Sequence, residues 1–166
     1  MIEAMNLAAL ATPIGVGATA ILDLWALAQH RLAGAALPNY ALVGRWMLYM
    51  PRGRFVHRPI ADSPPLHGER IAGWSAHYLI GILFAAMLLM VFGADWARHP
   101  ALLPALAVGI ASLAAPFLLM QPGMGLGIAA RRAARPGLAR LRSLITHSAF
   151  GLGLYAAGCM IKAVRG

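Results

Sequence analysis

Three ionisable side chains lie inside apolar stretches of the sequence: Asp23, His77 and His147. An ionisable residue within a membrane span is by default a hypothesis for a functional site, because its charge is expensive to bury in lipid. An aspartate supplies an anion, whereas a histidine titrates near neutral pH and ligates metals. Together the three side chains predict binding of an ion, a proton or a small molecule.

Three interpretations of these residues stay open. In the first, Asp23 and the two histidines only form hydrogen bonds that fix helix packing. In the second, they bind a ligand or a lipid headgroup from the cytoplasm, and Gln121 joins them at the cytoplasmic end of the third span. In the third, His77 and His147 bind a metal ion or the two faces of a b-type haem, which takes ligands from separate helices at one level.

The sequence contains no hydrolase pattern. It has no Gly-x-Ser-x-Gly elbow, no His-Glu-x-x-His pair and no paired carboxylates. No catalytic residue is predicted, and a redox or headgroup-modifying enzyme stays the alternative to a binding protein. The one cofactor that the sequence suggests is a b-type haem.

Four apolar segments must position these side chains. A transmembrane helix needs about 20 apolar residues, and residues 7–29, 73–95, 102–121 and 142–162 meet that length. The chain is 60% hydrophobic and 11% charged, whereas roughly 25% of residues are charged in soluble domains. This composition excludes an ordinary soluble domain and a disordered chain. We therefore expect an all-α protein, with residues 1–166 forming one membrane domain, a four-helix bundle.

The basic residues predict the orientation of the chain. Eleven of the fourteen lie in the two loops that four spans place on one side, and the positive-inside rule assigns that side to the cytoplasm. Both termini are then periplasmic in a bacterial inner membrane. The net charge of +9 reflects this topology, so nucleic acid is not a predicted partner. The eleven residues are Arg31, Arg45, Arg52, Arg54, Arg58, Arg70, Arg131, Arg132, Arg135, Arg140 and Arg142.

The same topology brings the polar side chains to similar depth. Counted from the cytoplasmic ends of the spans, Asp23 lies roughly 12 Å deep and the two histidines roughly 9 Å. Small residues at helical spacing predict close helix packing on this face. They are Gly15 and Thr19 with Asp23, Ala105 with Gly109, and Ala149 with Gly153 and Ala157.

The two basic loops hold further candidates. Residues 39–50 mix aromatic and apolar residues but are too short to span, which predicts an interfacial helix. Five arginines are candidates for binding anions or lipid headgroups: Arg45, Arg52, Arg54, Arg131 and Arg132. Glycines 123, 125 and 127 form either an anion site of backbone amides or a hinge or close-packed turn. The other histidines are expected to be solvated: His30, His57, His67 and His99.

Partners follow from the small number of spans. Membrane lipids are expected contacts. Because four helices leave little room for a private pathway, transport would require a homo-oligomer. The remaining option is an accessory subunit that binds a membrane partner protein.

The chain resembles a bacterial family of small four-helix inner-membrane proteins known as a domain of unknown function. The resemblance covers nearly the whole length, implies an integral membrane location and carries no activity. It rests on Gly17-Ala-Thr-Ala-Ile-Leu-Asp-Leu-Trp25, Asn39-Tyr-Ala-Leu-Val-Gly-Arg-Trp46, Gly53-Arg-Phe55, Met120-Gln-Pro-Gly-Met-Gly125 and Ala139-Arg-Leu-Arg-Ser143.

Overall fold

The computed structural model describes the backbone of residues 2–165 and the side chains of residues 7–164. Over this part of the chain the regular structure is helical, with no strand, which confirms the predicted all-α class. The α-helices are α1 (Ile2–Ala33), α2 (Tyr40–Tyr49), α3 (Glu69–Phe92), α4 (Leu102–Ala111), the single turn α5 (Gln121–Gly123) and α6 (Pro136–Arg165).

Within the described residues, four helical segments are long and apolar enough to cross a membrane, which indicates a multi-pass membrane protein. Each overlaps one predicted span, and the ends differ by several residues. The second ends three residues before the predicted boundary because Gly93 adopts a φ of 85° and a ψ of 149°, a non-helical conformation that glycine tolerates. The segments are Leu7–Ala33, Glu69–Phe92, Leu102–Gly123 and Pro136–Val164.

The third of these segments is not a regular α-helix. Helix α4 ends at Ala111, and a π-helical turn follows at Pro116–Met120 before α5 begins. Proline lacks the backbone N–H that a regular helix needs, so Pro116 accounts for the change of geometry. The irregular turn ends immediately before Gln121.

The chain divides into two compact units. The first contains the residues up to Leu37, Tyr78–Ser112 and the residues from Thr146 onward. The second contains Pro38–His77 and Leu113–Ile145. Each unit carries its own set of polar contacts.

Small residues hold the helices of the first unit at short distance. A β-carbon at Gly109 would lie 2.6 Å from the α-carbon of Gly151, so α4 and α6 touch through their backbones there. Close packing of this kind replaces the hydrophobic effect as a source of helix association in lipid. It confirms the predicted small-residue interfaces at three contacts: Gly15 with Ile82, Gly109 with Gly151, and Gly153 with Ala18.

In the second unit, α2 packs directly on the first turns of α3. Gly44 and Gly73 lie at the crossing, and a β-carbon on either would overlap the backbone of the other helix. Helix α2 also fixes the loop that follows it. The Trp46 indole donates to the Phe55 carbonyl at 2.9 Å, and the Tyr49 hydroxyl donates to the Pro64 carbonyl at 3.0 Å. The proline-rich segment after α2, whose regular structure is limited to 3-10 turns at Met50–Arg52 and Ile60–Asp62, is thereby held by helical side chains.

Candidate functional sites

Asp23 is held by a side chain of the neighbouring helix. Its Oδ2 accepts a hydrogen bond from the Tyr78 hydroxyl at 3.0 Å, and Asp23 is half-buried. This contact joins α1 to α3 within the first unit. The Asp23 carboxylate therefore faces a neighbouring helix, an arrangement that serves packing and ligand binding equally well.

His147 has a defined partner on α4. Its Nδ1 lies 2.6 Å from the Ser112 hydroxyl oxygen, which also lies 2.6 Å from the Gly109 carbonyl. A carbonyl only accepts, so the single hydroxyl proton goes to Gly109 and His147 donates its Nδ1–H to Ser112. In this arrangement Nε2 of the neutral ring carries the lone pair.

His77 belongs to the second unit, unlike Asp23 and His147. Its ring stacks on Tyr40 of α2, with 4.1 Å between ring centroids, and the Trp74 ring lies 5.9 Å away. Asp23 contacts Tyr78, His147 contacts Ser112, and His77 contacts Tyr40. Within residues 7–164, no group of three or more histidine, cysteine or acidic side chains is placed to hold a metal ion.

Arg45 is committed to a buried ion pair. Its guanidinium binds both carboxylate oxygens of Glu69, at 2.7 and 2.9 Å, and it donates to the Ser63 carbonyl at 2.9 Å and the Ala61 carbonyl at 3.3 Å. Hydrogen bonding to Glu69 raises the pKa of Arg45 above its ordinary value, although burial opposes that shift. Of the five predicted anion-binding arginines, this one already holds its anion within the protein.

Glu69 is not among the candidates that the sequence indicates. It stands at the start of α3, beside Arg70 and outside the predicted spans. One signal was present: with only five acidic residues in the chain, each is a candidate partner for an arginine. Nothing in the sequence indicates which arginine it is, because the partner is 24 positions away.

His57 corrects an expectation. It was predicted to be solvated because it lies in a loop, but it is only 3% exposed. Its Nδ1 lies 2.8 Å from the Ser63 hydroxyl, and its backbone N–H donates to the Gly123 carbonyl at 2.8 Å. The loop folds against the turn after α4, which removes the ring from solvent. Its buried Nε2 has no hydrogen-bond partner among the described residues.

Gln121, a predicted ligand residue, has the same property. The residue is 7% exposed, and within the part of the chain that the structure describes its Oε1 has no hydrogen-bond partner. The two residues lie on adjoining chain segments, because the His57 N–H bonds to Gly123 and the Ile60 N–H bonds to Met124. The second unit thus holds two buried polar atoms with unused hydrogen-bonding capacity.

Arg52 and Arg54 share one aromatic surface. Their guanidinium carbons lie 5.7 and 4.7 Å from the centroid of the Tyr49 ring, within the range of cation–π contacts. The same ring also neighbours His57, with 5.0 Å between the ring centroids. These two arginines remain candidates for binding an anion.

The glycine-rich loop uses its amides internally. The N–H groups of Gly125, Leu126, Ala130, Arg131 and Arg132 all donate to carbonyls within residues 121–128. These five donors are therefore occupied, which favours the close-packed turn over an anion site of backbone amides. The side chains of Arg131 and Arg132 are exposed.

Comparison with known proteins gives a family and no activity. The family described as protein of unknown function DUF2938 matches residues 12–161. No curated protein and no solved structure matches the chain. Because the match includes all four candidate spans in whole or large part, from Thr12 to Ile161, the chain belongs to the DUF2938 family, in agreement with the resemblance of its motifs.

Proposed function

We propose that this protein lies in the bacterial inner membrane and binds a small neutral polar molecule through His57 and Gln121. The positive-inside rule supports cytoplasmic basic loops and periplasmic termini, so the site would face the cytoplasm. Helix α2 would lie in the membrane interface. The observation that carries the proposal is the pair of unpartnered polar atoms, Nε2 of His57 and Oε1 of Gln121.

Unused hydrogen-bonding capacity inside a protein is costly. A buried donor or acceptor without a partner costs about 1–3 kcal/mol, and most buried polar groups in native structures are satisfied. Two such atoms on adjoining segments therefore point to a shared molecule that satisfies both. A bound ligand would remove that free-energy cost, because it would supply the missing hydrogen bonds.

The chemistry of the two atoms limits the ligand. Gln121 Oε1 only accepts, so the ligand must donate a proton to it. His57 Nε2 donates or accepts according to its tautomer. A fully ionised anion offers Gln121 no donor, and the nearby Arg52 and Arg54 disfavour a cation. A hydroxyl or amide group of a neutral molecule meets both requirements.

The test is a comparison of molecules that purify with the protein. Gln121→Met removes the carbonyl at nearly constant volume, and Gln29→Met makes the same change in α1 as a control. We expect mass spectrometry to find one polar molecule released by the wild type and by the control. The Gln121 variant should retain about tenfold less, the effect of losing about 1.4 kcal/mol of binding energy.

Equal content in all three proteins would overturn the proposal. If the Gln121 variant is in addition more stable than the wild type, the unpaired Oε1 of Gln121 destabilises the protein and binds no ligand. Binding is the step that these residues support. A transport role would use a homo-oligomer, because four spans offer no private pathway.

One observation favours the redox alternative. Ser112 orients His147 so that Nε2 carries the lone pair, and histidines that ligate metals are commonly oriented by a hydrogen bond to the other ring nitrogen. Bound haem would supply one-electron chemistry. Under this alternative, haemin added to the purified protein gives a Soret band that His147→Ala abolishes and His99→Ala, at an exposed histidine, preserves. A wild type without that band would eliminate the alternative.

A further inference from the structure

The tip of the loop after α2 presents apolar and cationic side chains side by side. Phe55 and Val56 are 59% and 65% exposed. Arg52 and Arg54 precede them, and both arginines are also exposed. We call these four residues the loop tip. An exposed apolar pair next to paired charges is a pattern of interaction sites rather than of ordinary solvated loops.

Backbone hydrogen bonds hold the loop tip in place. The Arg54 N–H donates to the Tyr49 carbonyl at 3.1 Å, and the Phe55 carbonyl accepts from the Trp46 indole at 2.9 Å. On the other side of Val56, the His57 N–H donates to the Gly123 carbonyl. These bonds fix the backbone on both sides of Phe55 and Val56. The two side chains are therefore presented outward by a fixed backbone.

The two guanidinium groups have one aromatic ring in common. Both lie over the Tyr49 ring, which is buried and held by the hydrogen bond from its hydroxyl to Pro64. Among the described side chains, neither guanidinium has a carboxylate within ion-pair distance. Two like charges beside one ring repel each other. A phosphate relieves that repulsion and matches the forked geometry of arginine.

We propose that the loop tip binds an anionic phospholipid, with Arg52 and Arg54 on the phosphate and Phe55 and Val56 among the first acyl carbons. In a phospholipid the phosphate adjoins the apolar chains, as the arginines adjoin the apolar pair here. Free phosphate would use the arginines alone and leave Phe55 and Val56 exposed. Four helices apolar enough to span a membrane place lipid within reach, and the inner leaflet is anionic. The inference does not depend on the proposed small-molecule site.

The other basic loop offers a matched control. Arg131 and Arg132 are also adjacent in sequence and exposed, but neither lies over an aromatic ring among the described side chains. Arg52→Gln with Arg54→Gln and Arg131→Gln with Arg132→Gln remove the same charge. A general attraction to an anionic surface would weaken equally in both, since each basic residue contributes a similar amount. A built site would weaken only in the first.

The experiment reconstitutes the full chain in nanodiscs of equimolar phosphatidylcholine and phosphatidylglycerol and counts the lipids retained in native mass spectrometry. We expect the wild type to retain phosphatidylglycerol preferentially. The Arg52/Arg54 variant should lose that preference by at least about tenfold, and the Arg131/Arg132 variant should keep it. Phe55→Ser with Val56→Ser should reduce retention as well. Circular dichroism checks that each variant keeps the helical content of the wild type.

Three results would overturn the inference. Equal losses in the two arginine variants would show general charge attraction. If the Phe55/Val56 variant retained as much phosphatidylglycerol as the wild type and inorganic phosphate displaced the lipid, the arginines would be a site for free phosphate. If the wild type showed no preference for phosphatidylglycerol, the exposed Phe55 and Val56 would be a contact surface for a protein partner.

Discussion

Replacing Glu69 with alanine should lower the free energy of unfolding by about 3–5 kcal/mol, the cost of removing one partner of a buried ion pair. The side chains of Arg45 and Glu69 are 10% and 16% exposed, so the remaining guanidinium would be left buried without its anion. The Leu66 N–H would also lose its acceptor, which is Glu69 Oε2 at 2.9 Å. Denaturation in detergent micelles, followed by circular dichroism, measures the change.

Two variants control for this result. Asp95→Ala removes an exposed carboxylate that lies 3.6 Å from Arg98, and surface pairs of this kind contribute little to stability. Arg45→Met with Glu69→Leu removes both charges, which should recover part of the loss. Recovery stays partial because Arg45 also binds the carbonyls of Ala61 and Ser63. If Glu69→Ala were as mild as Asp95→Ala, the ion pair would not hold the second unit together.

The ion pair of Arg45 and Glu69 could not be predicted from hydrophobic periodicity, because the fold of the loop between them brings the two residues together. Small residues at helical spacing identify Gly109 and Gly153 as packing positions, because both the period and the residue type are local signals. Arg45 and Glu69 have no such signal. Arg45 resembles Arg52 and Arg54 in sequence, and only the folded loop decides which of the three receives a carboxylate.

His57 shows the same limit for the candidate site. Its burial depends on Trp46 and Tyr49 of α2, which hold the irregular loop, and on Gly123, which is 66 positions further along the chain. A loop histidine is solvated unless long-range contacts of this kind exist. Gln121 was found from sequence because it ends an apolar span, where a polar amide is conspicuous.

Helix α2 keeps its place on α3 through Gly44 and Gly73, and alanine at Gly73 should separate the two helices. A β-carbon there would lie 2.6 Å from the carbonyl carbon of Tyr40, a distance at which one backbone must move. Overpacking of this kind costs about 1–3 kcal/mol, which exceeds the gain of up to about 1 kcal/mol from the higher helix propensity of alanine. We therefore expect a net loss of stability.

Gly137→Ala is the control for the expected loss of stability, because it makes the same substitution in a helix without overpacking. Gly137 also lies in a helix, α6, and a β-carbon there would meet no atom within 4 Å. The same substitution should therefore leave the free energy of unfolding unchanged or raise it, by up to about 1 kcal/mol. Denaturation of both variants under one set of conditions compares the two. A stabilising effect at both positions would mean that α2 has room to move on α3.

The separation of α2 from α3 should also weaken the ion pair of Arg45 and Glu69. Gly44 immediately precedes Arg45, and a β-carbon on Gly44 would lie 2.9 Å from the carbonyl carbon of Glu69. A shift of α2 relative to α3 therefore moves the guanidinium away from its carboxylate, and two hydrogen bonds of 2.7 and 2.9 Å tolerate little displacement. Gly73→Ala and Glu69→Ala should then be less than additive when combined, because both act on one contact. Full additivity would separate helix packing from the ion pair.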